Sequence, residues 1–233
     1  MEQTSQARLA RAAELGMRRQ KALEPRGRPA GRAVEPLRQD LLPGVVGRTA
    51  LEERSSEHLR VDVLDGGLGS LPTQLGSAAY DVVLCQGVLM YLAESGPALA
   101  ELAALVAPGG LLSLVFRNAE GMALRPAIRR DWVEMHALLD RADGPNPFYR
   151  NEIGVDARAD HLSQVEAALA GHGLVTEDWY GVRIATDSAD ADEPAPSDPA
   201  ELAAVLAAEE RLGRTDPYRR LATLLHLVSR RPA

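Results

Sequence analysis

The stretch YDVVLCQGVLMYLAESGPALAELAALVAPGGLLSLVFRN, residues 80–118, decides the fold of this chain. Two uninterrupted apolar runs within it, 82–85 and 111–116, suit strands that are covered on both faces, as in a parallel sheet. Between them leucines recur at helical spacing until Pro108 and two glycines end the helix. The pattern predicts two parallel strands joined by a right-handed crossover helix.

Length and composition bound the class of protein. The chain has 233 residues, of which 45% are hydrophobic and 25% charged, so we expect a single α/β domain of ordinary globular composition. No apolar run approaches the roughly 20 residues that cross a bilayer, and the N-terminus has no hydrophobic signal core, which predicts a cytoplasmic protein that makes no membrane contact. Cys85 is the single cysteine, and no two histidines have ligand spacing with a carboxylate, so we expect neither a disulfide nor a metal site.

Charge is distributed unevenly along the chain. The net charge is −7, with +4 on residues 1–60 and −11 on residues 61–233. An acidic balance opposes general nucleic-acid binding, since phosphate contacts supply much of that affinity. The basic start is consistent with a local RNA contact or with a solvated arm, and the sequence leaves both open.

The order of elements in residues 80–118 resembles the middle of the class I S-adenosylmethionine-dependent methyltransferases. In that family Asp81 would open the fourth strand, and the Pro-Gly-Gly at 108–110 would precede the fifth. The resemblance implies an α/β, Rossmann-like sheet that is mostly parallel with an antiparallel last strand. It also implies S-adenosylmethionine as the cofactor.

A narrower resemblance covers about residues 59–233. Four segments in order, CQGVLMYL, LLSLVFRNAEGMALRP, EDWYGVRIATD and DPYRRLATLLHLVSRR, look like the transfer-RNA 5-carboxymethoxyuridine methyltransferases, which esterify a carboxylate on the wobble uridine. We therefore predict a methyltransferase-like domain over 59–233. Residues 1–58 are rich in Arg and Pro and are predicted to be an atypical, partly disordered segment or a degenerate start of the fold.

The glycine-rich turn that normally follows the first strand of class I methyltransferases is not found in this sequence. Its form is Asp-x-Gly-x-Gly-x-Gly, and its glycines let the backbone approach the cofactor. The nearest candidate, VDVLDGGLGSLPTQL at 61–75, lies too close to Asp81 to leave room for two further strands with their helices. A truncated start, a reading-frame error and genuine divergence are the three explanations for its absence.

Four cofactor-binding residues follow from the resemblance. Residues 59–64 are predicted as the third strand, and Asp65 with Gly66 at its tip would meet the adenine amine. Glu35 would accept both ribose hydroxyls, a task suited to a carboxylate. Gln86 is the polar tip of the fourth strand, near the cofactor. A plain turn around Gly66 and simple turn capping by Gln86 are the open alternatives.

The acceptor side is predicted at the ends of the later strands. A carboxylate is already ionised at neutral pH, so methyl transfer to it needs alignment rather than a general base, and we predict no catalytic side chain. Asn118 ends the fifth strand with Arg117 beside it, and one of the two would face substrate. The resemblance implies that Arg183 pairs with the carboxylate, that Tyr180 stacks on the base, and that Tyr218 lies at the pocket mouth. Core packing or plain exposure is the alternative for each.

The expected function is methyl transfer from S-adenosylmethionine to transfer RNA or to a small carboxylic acid. A non-catalytic methyltransferase-fold protein that acts as a binding partner is the alternative from another class, motivated by the missing glycine turn. A nicotinamide-dependent dehydrogenase is disfavoured because no G-x-G-x-x-G follows a strand. The sequence sets no oligomeric state.

Overall fold

A computed structural model describes residues 64, 66–69, 71, 75–142, 147–151, 155–187 and 194–233. Within these ranges the chain forms six strands and five α-helices. In chain order they are β1 (Tyr80–Gln86), α1 (Gly96–Leu105), β2 (Val106–Arg117), α2 (Leu124–Ile128), α3 (Trp132–Ala142), β3 (Phe148–Arg150), β4 (Asp156–Arg158), α4 (Leu162–Gly171), β5 (Val175–Val182), α5 (Pro199–Arg214) and β6 (Leu224–Arg230). Two short 3-10 helices, Leu89–Tyr91 and Tyr218–Leu221, follow β1 and precede β6.

Four of the described strands form one mixed sheet in the order β1-β2-β6-β5. Strands β1 and β2 are parallel, whereas β6 is antiparallel to both of its neighbours. Three strands therefore run one way and the last strand runs the other way, which confirms the predicted sheet. Strands β3 and β4 pair with each other in a separate two-stranded antiparallel sheet that the sequence did not predict.

The predicted crossover unit is β1-α1-β2. Val82 pairs with Leu111 and Cys85 with Leu114 in parallel register, so the two apolar runs lie side by side as predicted. Strand β2 begins earlier than predicted, directly after α1, because the Pro-Gly-Gly segment at 108–110 forms a bulge that shifts the register. A Cβ at Gly110 would come within 2.9 Å of two backbone oxygens, which explains the glycine there.

The core lies between one face of the sheet and helices α1 and α4. Side chains of β2 and β6 alternate, and their inward set packs against the apolar sides of the two helices; it includes Leu112, Leu114, Phe116, Leu225 and Leu227. Each large apolar side chain buried this way stabilises the fold by about 1.5–3 kcal/mol. On the opposite face of β1, Val82 is 55% and Leu84 is 66% exposed.

Cys85 points into this core from β1 and is a free thiol. Burial raises its pKa to about 11, and a weaker hydrogen bond from the backbone at Val88 acts in the opposite direction. At neutral pH the side chain is therefore protonated and packs as a small apolar group.

The elements after the crossover begin slightly later than the sequence predicts. Helix α4 begins at Leu162 rather than Ala159, because Asp160 forms a strand-like bridge with Asn118. Strand β6 begins at Leu224 rather than Leu221, because a 3-10 turn occupies the preceding residues. Within the described ranges every helix is too short or too polar to span a bilayer.

Candidate functional site

A cavity of about 650 Å³ opens where β2 and β5 end. Arg117 and Val182 both pair with Leu224 of the intervening strand, so the two parallel strands end at the same level. Ligands of α/β proteins bind at this carboxyl edge, and cavities of about 300–1,000 Å³ are typical for small molecules. The charged side chains that line this cavity, among the described residues, are Arg117, Arg125, Arg129, Arg183, Asp131 and Glu134.

Arg117 is the most buried of the four arginines. It is the last residue of β2, is 9% exposed, and its guanidinium carbon lies 4.9 Å from the centre of the Tyr149 ring. No hydrogen bond or ion pair joins its guanidinium to another described residue, and its Nε atom is buried without a partner. Burial lowers the pKa of Arg117, and the positive charges of Arg125 and Arg183 lower it further against opposing effects of Tyr149 and Asp187.

Asp187 organises the arginines at the cavity mouth. Its buried carboxylate lies 3.3 Å from Nη2 of Arg183 and 3.7 Å from Nε of Arg125. The side chain of Arg183 is 50% exposed, and its backbone has φ +60°, a left-handed conformation that is costly for a non-glycine residue. The N–H of Thr223 donates to the carbonyl of Arg183 at 3.4 Å and helps to hold this turn at the end of β5.

Asn118 lies behind the cavity wall and is 1% exposed. Its amide nitrogen donates to the carbonyls of Arg220 and Ala222 at 2.9 and 2.8 Å, and its amide oxygen accepts from the N–H of Glu120 at 3.1 Å. These bonds tie the end of β2 to the segment that leads into β6. They account for a buried asparagine at this position without a ligand, and its predicted contact with substrate stays a prediction.

Tyr180 and Tyr218 do not line the cavity. The Tyr180 hydroxyl donates to Asp178 at 2.8 Å, and its ring lies 5.2 Å from the guanidinium carbon of Arg214. Tyr218 is exposed on the 3-10 turn that precedes β6. Of the four predicted substrate residues, the structure brings Arg183 alone to the cavity, and the roles of the two tyrosines stay predictions.

Two of the four predicted cofactor residues, Glu35 and Asp65, lie outside the described residues. Gly66 is described and exposed. Gln86, the last residue of β1, donates from Nε2 to the carbonyl of Ser113 at 3.0 Å and to its hydroxyl at 3.2 Å. Ser113 in turn hydrogen-bonds His226 at 2.8 Å, so Gln86 ends a row of polar side chains across β1, β2 and β6. The cofactor roles stay predictions.

A buried ionic network holds the loop between β1 and α1 against the cavity. Arg158, 2% exposed, donates to the carbonyls of Leu89 and Ala93 and to the hydroxyl of Ser95, and it pairs with Asp160 at 3.4 Å. Ser95 donates to Asp160 at 2.7 Å. Burial raises the pKa of Asp160, against the smaller effects of Ser95 and Arg158. The loop that is fixed in this way contributes Met90 and Tyr91 to the cavity wall.

Most of the cavity wall was not predicted as a site. Arg125 and Arg129 are four residues apart, a spacing that brings two side chains to one side of a helical segment, and this is a signal that sequence reasoning could have used. Tyr149 is brought to the cavity by a three-residue strand for which no periodic pattern exists. Among the described residues no group of His, Cys, Asp and Glu is placed to hold a metal ion.

Comparisons with known proteins bear on the fold and the domain type. Residues 37–114 match the family model described as "Methyltransferase domain", a range that includes β1, α1 and most of β2. The match begins within the segment 1–58 that precedes the domain predicted from sequence. No curated protein matches the chain in sequence.

Many solved structures are similar in fold. A putative methyltransferase from Haloferax volcanii, solved in complex with the Trm112 methyltransferase activator, is 18% identical, with 80% of this chain and 67% of that chain covered and a TM-score of 0.45. A putative methyltransferase from Bacillus halodurans is 18% identical, with 84% and 81% covered and a TM-score of 0.46. A 1,6-didemethyltoxoflavin-N1-methyltransferase from Burkholderia thailandensis, solved with its substrate and S-adenosylhomocysteine, is 15% identical, with 80% and 56% covered and a TM-score of 0.42.

With TM-scores below 0.5, these solved structures carry no argument about this chain. The domain match, together with the observed order and directions of β1, β2, β6 and β5, supports a Rossmann-like methyltransferase domain of class I. It supports S-adenosylmethionine as the cofactor of that domain. The comparisons do not show the methyl acceptor.

Proposed function

We propose that this protein transfers a methyl group from S-adenosylmethionine to an oxygen of a carboxylate-bearing acceptor. The observation that carries the proposal is the arginine-rich cavity at the carboxyl edge of the sheet, with Arg117 at its base and Arg183 at its mouth. The methyltransferase domain match supports the reaction class, and the positive lining supports an anionic acceptor.

The chemistry needs binding groups rather than a base. When bound, S-adenosylmethionine supplies an electrophilic methyl group on a sulfonium sulfur. A carboxylate oxygen is ionised at neutral pH, so a carbon–oxygen bond forms as the carbon–sulfur bond breaks, without proton removal. The cavity residues would orient the acceptor, an effect worth up to about 7–11 kcal/mol when the reacting atoms are held in line. Arginine can hold one carboxylate oxygen while the other reacts.

The more specific form of the proposal is a carboxymethoxyuridine at the wobble position of transfer RNA. It is supported by the resemblance of four ordered segments to enzymes with that substrate. A cavity of about 650 Å³ suits a single nucleoside, and wobble bases are unpaired in free transfer RNA, so one base could enter without melting a duplex. A small carboxylic acid of similar size is the other acceptor compatible with the cavity.

Methyl transfer from labelled S-adenosylmethionine tests both forms. The full chain would be incubated with transfer RNA bearing 5-carboxymethoxyuridine, with the same RNA bearing unmodified uridine, and with a panel of small carboxylic acids. We expect an ester label, released by mild base, on the carboxymethoxy RNA and not on its unmodified counterpart. Label on a small acid alone would favour the second acceptor class, and no label on any carboxylate would contradict the proposal.

A second candidate function is non-catalytic binding by a methyltransferase-fold protein. The observation that favours it is the missing glycine-rich turn, whose backbone normally approaches the cofactor. This candidate predicts a folded chain that transfers no methyl group to any acceptor. Turnover with any carboxylate would exclude it.

A further inference from the structure

We infer that Arg117 is the anion-binding residue of this protein and that it holds the carboxylate of the acceptor inside the cavity. The inference rests on the proposed function and adds to it the residue that distinguishes an anionic acceptor from a neutral one. Arg183 was the residue that sequence resemblance assigned to this task. The two arginines differ in burial and in bonding, and the difference favours Arg117.

The bonding of the Arg117 guanidinium is the first observation that favours this residue. Arg117 is buried at 9% exposure, yet none of its guanidinium nitrogens has a hydrogen-bond or ion-pair partner among the described residues. Removing a cation from water without a compensating anion is costly. The guanidinium of Arg117 lies at the wall of the cavity, and it has N–H donors that no described residue accepts from. An incoming carboxylate would accept from them.

Arg158 is another buried arginine, and its hydrogen bonding differs from that of Arg117. The Nε atoms of Arg117 and Arg158 are both buried without a hydrogen-bond partner, but the Nη atoms of Arg158 donate to two carbonyls and a hydroxyl and pair with Asp160. Arg117 supports no comparable network, and its side-chain contact is the face of Tyr149. Arg158 therefore serves the structure, whereas no described residue forms a hydrogen bond or ion pair with the guanidinium of Arg117.

The charges around the cavity also favour Arg117 over Arg183. Arg183 is half exposed and already lies 3.3 Å from Asp187, so part of its charge is balanced. The lining has four arginines against the carboxylates of Asp131 and Glu134, with Asp187 adjacent to two of the arginines. Counted over these described residues alone, the balance is positive by about one charge, which fits a monoanion such as a carboxylate.

The uncharged side chains of the cavity lining indicate the shape of the ligand. Tyr91 and Tyr149 line the cavity together with the flexible, polarisable side chains of Met90 and Met122. Such walls accommodate a flat ring, and Arg117 lies beside one of them. The cavity therefore fits a planar aromatic or heterocyclic group that carries a carboxylate on a short arm.

Phenoxyacetate and phenoxyacetamide form the matched pair of probes for this inference, because they differ in charge and hardly in shape. Their affinities for the full chain would be measured by ligand-observed NMR. We expect phenoxyacetate to bind at least about tenfold more tightly, the effect of one charge-assisted hydrogen bond. Equal affinities would overturn the inference. Phenyl phosphate is a third probe, and tighter binding of this dianion than of phenoxyacetate would overturn the assignment to a carboxylate.

The variant Arg117→Met removes the charge and keeps a long apolar side chain. We expect it to lose the preference for phenoxyacetate, whereas Arg183→Met should keep most of it. Since the substitution also removes an unpaired buried charge, the melting temperature of the unliganded Arg117→Met protein should equal or exceed that of the wild type, which reports that the variant folds. Retention of the full preference by Arg117→Met, or loss of the preference in Arg183→Met alone, would overturn the inference.

These binding measurements need neither cofactor nor turnover, so the two proposals can fail separately. Selective binding of phenoxyacetate through Arg117 without methyl transfer would leave the anion site standing and remove the proposed function. Methyl transfer that Arg117→Met leaves unaltered in KM for the acceptor would remove the anion site and leave the proposed function standing.

Discussion

Arg117 and Asn118 are adjacent at the end of β2, and their side chains serve different purposes. Asn118 bonds to the segment before β6, whereas Arg117 lines the cavity and has no bonded partner among the residues that the structure describes. Sequence reasoning predicted that one of this pair faces substrate. Asn118 was the one named as substrate-binding, and its contact with substrate stays a prediction. Both residues are polar, and the choice depends on which side of the sheet each side chain occupies, which a sequence pattern does not show.

Replacement of Arg183 tests the mouth of the cavity. We expect Arg183→Ala to raise KM for a carboxylate acceptor by about two- to threefold, a modest effect because the side chain is half exposed and shares Asp187. The affinity for S-adenosylmethionine should not change. Arg214→Ala is the matched control, since Arg214 is an exposed arginine outside the cavity lining. Steady-state kinetics with unchanged KM would remove Arg183 from the acceptor site.

Replacement of Asn118 tests its structural role. Asn118→Ala would leave the carbonyls of Arg220 and Ala222 without their donor in a buried position, so we expect the free energy of unfolding to fall by about 2–3 kcal/mol. Urea denaturation of the variant would measure the loss. Glu120→Ala, at an exposed neighbouring position, should change stability little. A fully stable Asn118→Ala would show that these hydrogen bonds contribute nothing net.

Helix α5 supports the turn that carries Arg183. The carboxylate of Glu209 accepts from the backbone N–H groups of Ile184, Ala185 and Thr186 at 2.8–2.9 Å, and from the Thr186 hydroxyl at 2.9 Å. Burial acts to raise the pKa of Glu209, but the hydrogen bonds outweigh it and the net shift is downward. The helix thereby fixes the segment between Arg183 and Asp187 at the cavity mouth.

A lowered folded-state pKa makes the contribution of Glu209 depend on pH. The contribution is fully present above the unfolded-state pKa, near 4.5, and is lost as the pH falls through the lower folded-state value. We expect Glu209→Gln to be less stable than wild type at pH 7, and the difference to shrink in acid. Thermal unfolding between about pH 3 and pH 7 would measure both proteins. A difference that does not depend on pH would contradict this account.

The same helix packs on β5 through two facing glycines. A Cβ at Gly213 would lie 2.4 Å from the carbonyl oxygen of Gly181, and one at Gly181 would lie 2.6 Å from the carbonyl oxygen of Arg219. Since backbone cannot move aside easily, Gly213→Ala should cost about 2 kcal/mol or more by chemical denaturation. Gly171→Ala is the control, because nothing lies within 4 Å of a Cβ there at the end of α4, and it should be neutral or slightly stabilising. Equal stability of the two variants would contradict this packing.

The sequence predicts the sheet better than it predicts the cavity. Long apolar runs at 82–85 and 111–116 report the parallel pair directly, and the antiparallel last strand came from a family resemblance. Strands β3 and β4 have three residues each and carry no periodic signal, so their pairing could not be predicted. Tertiary contacts bring Tyr149 and the residues of α2 and α3 to the cavity, so most of its wall was not predicted, although the sequence pointed to Arg183 and to the pair Arg117 and Asn118.

The proposed methyltransferase activity requires that the chain bind S-adenosylmethionine before any acceptor matters. Calorimetric titration of S-adenosylmethionine into the folded full chain therefore tests the proposal at its first step. We expect a saturable heat of binding with one site per chain. A sample that is folded by circular dichroism and gives no heat at millimolar cofactor would rule the proposal out.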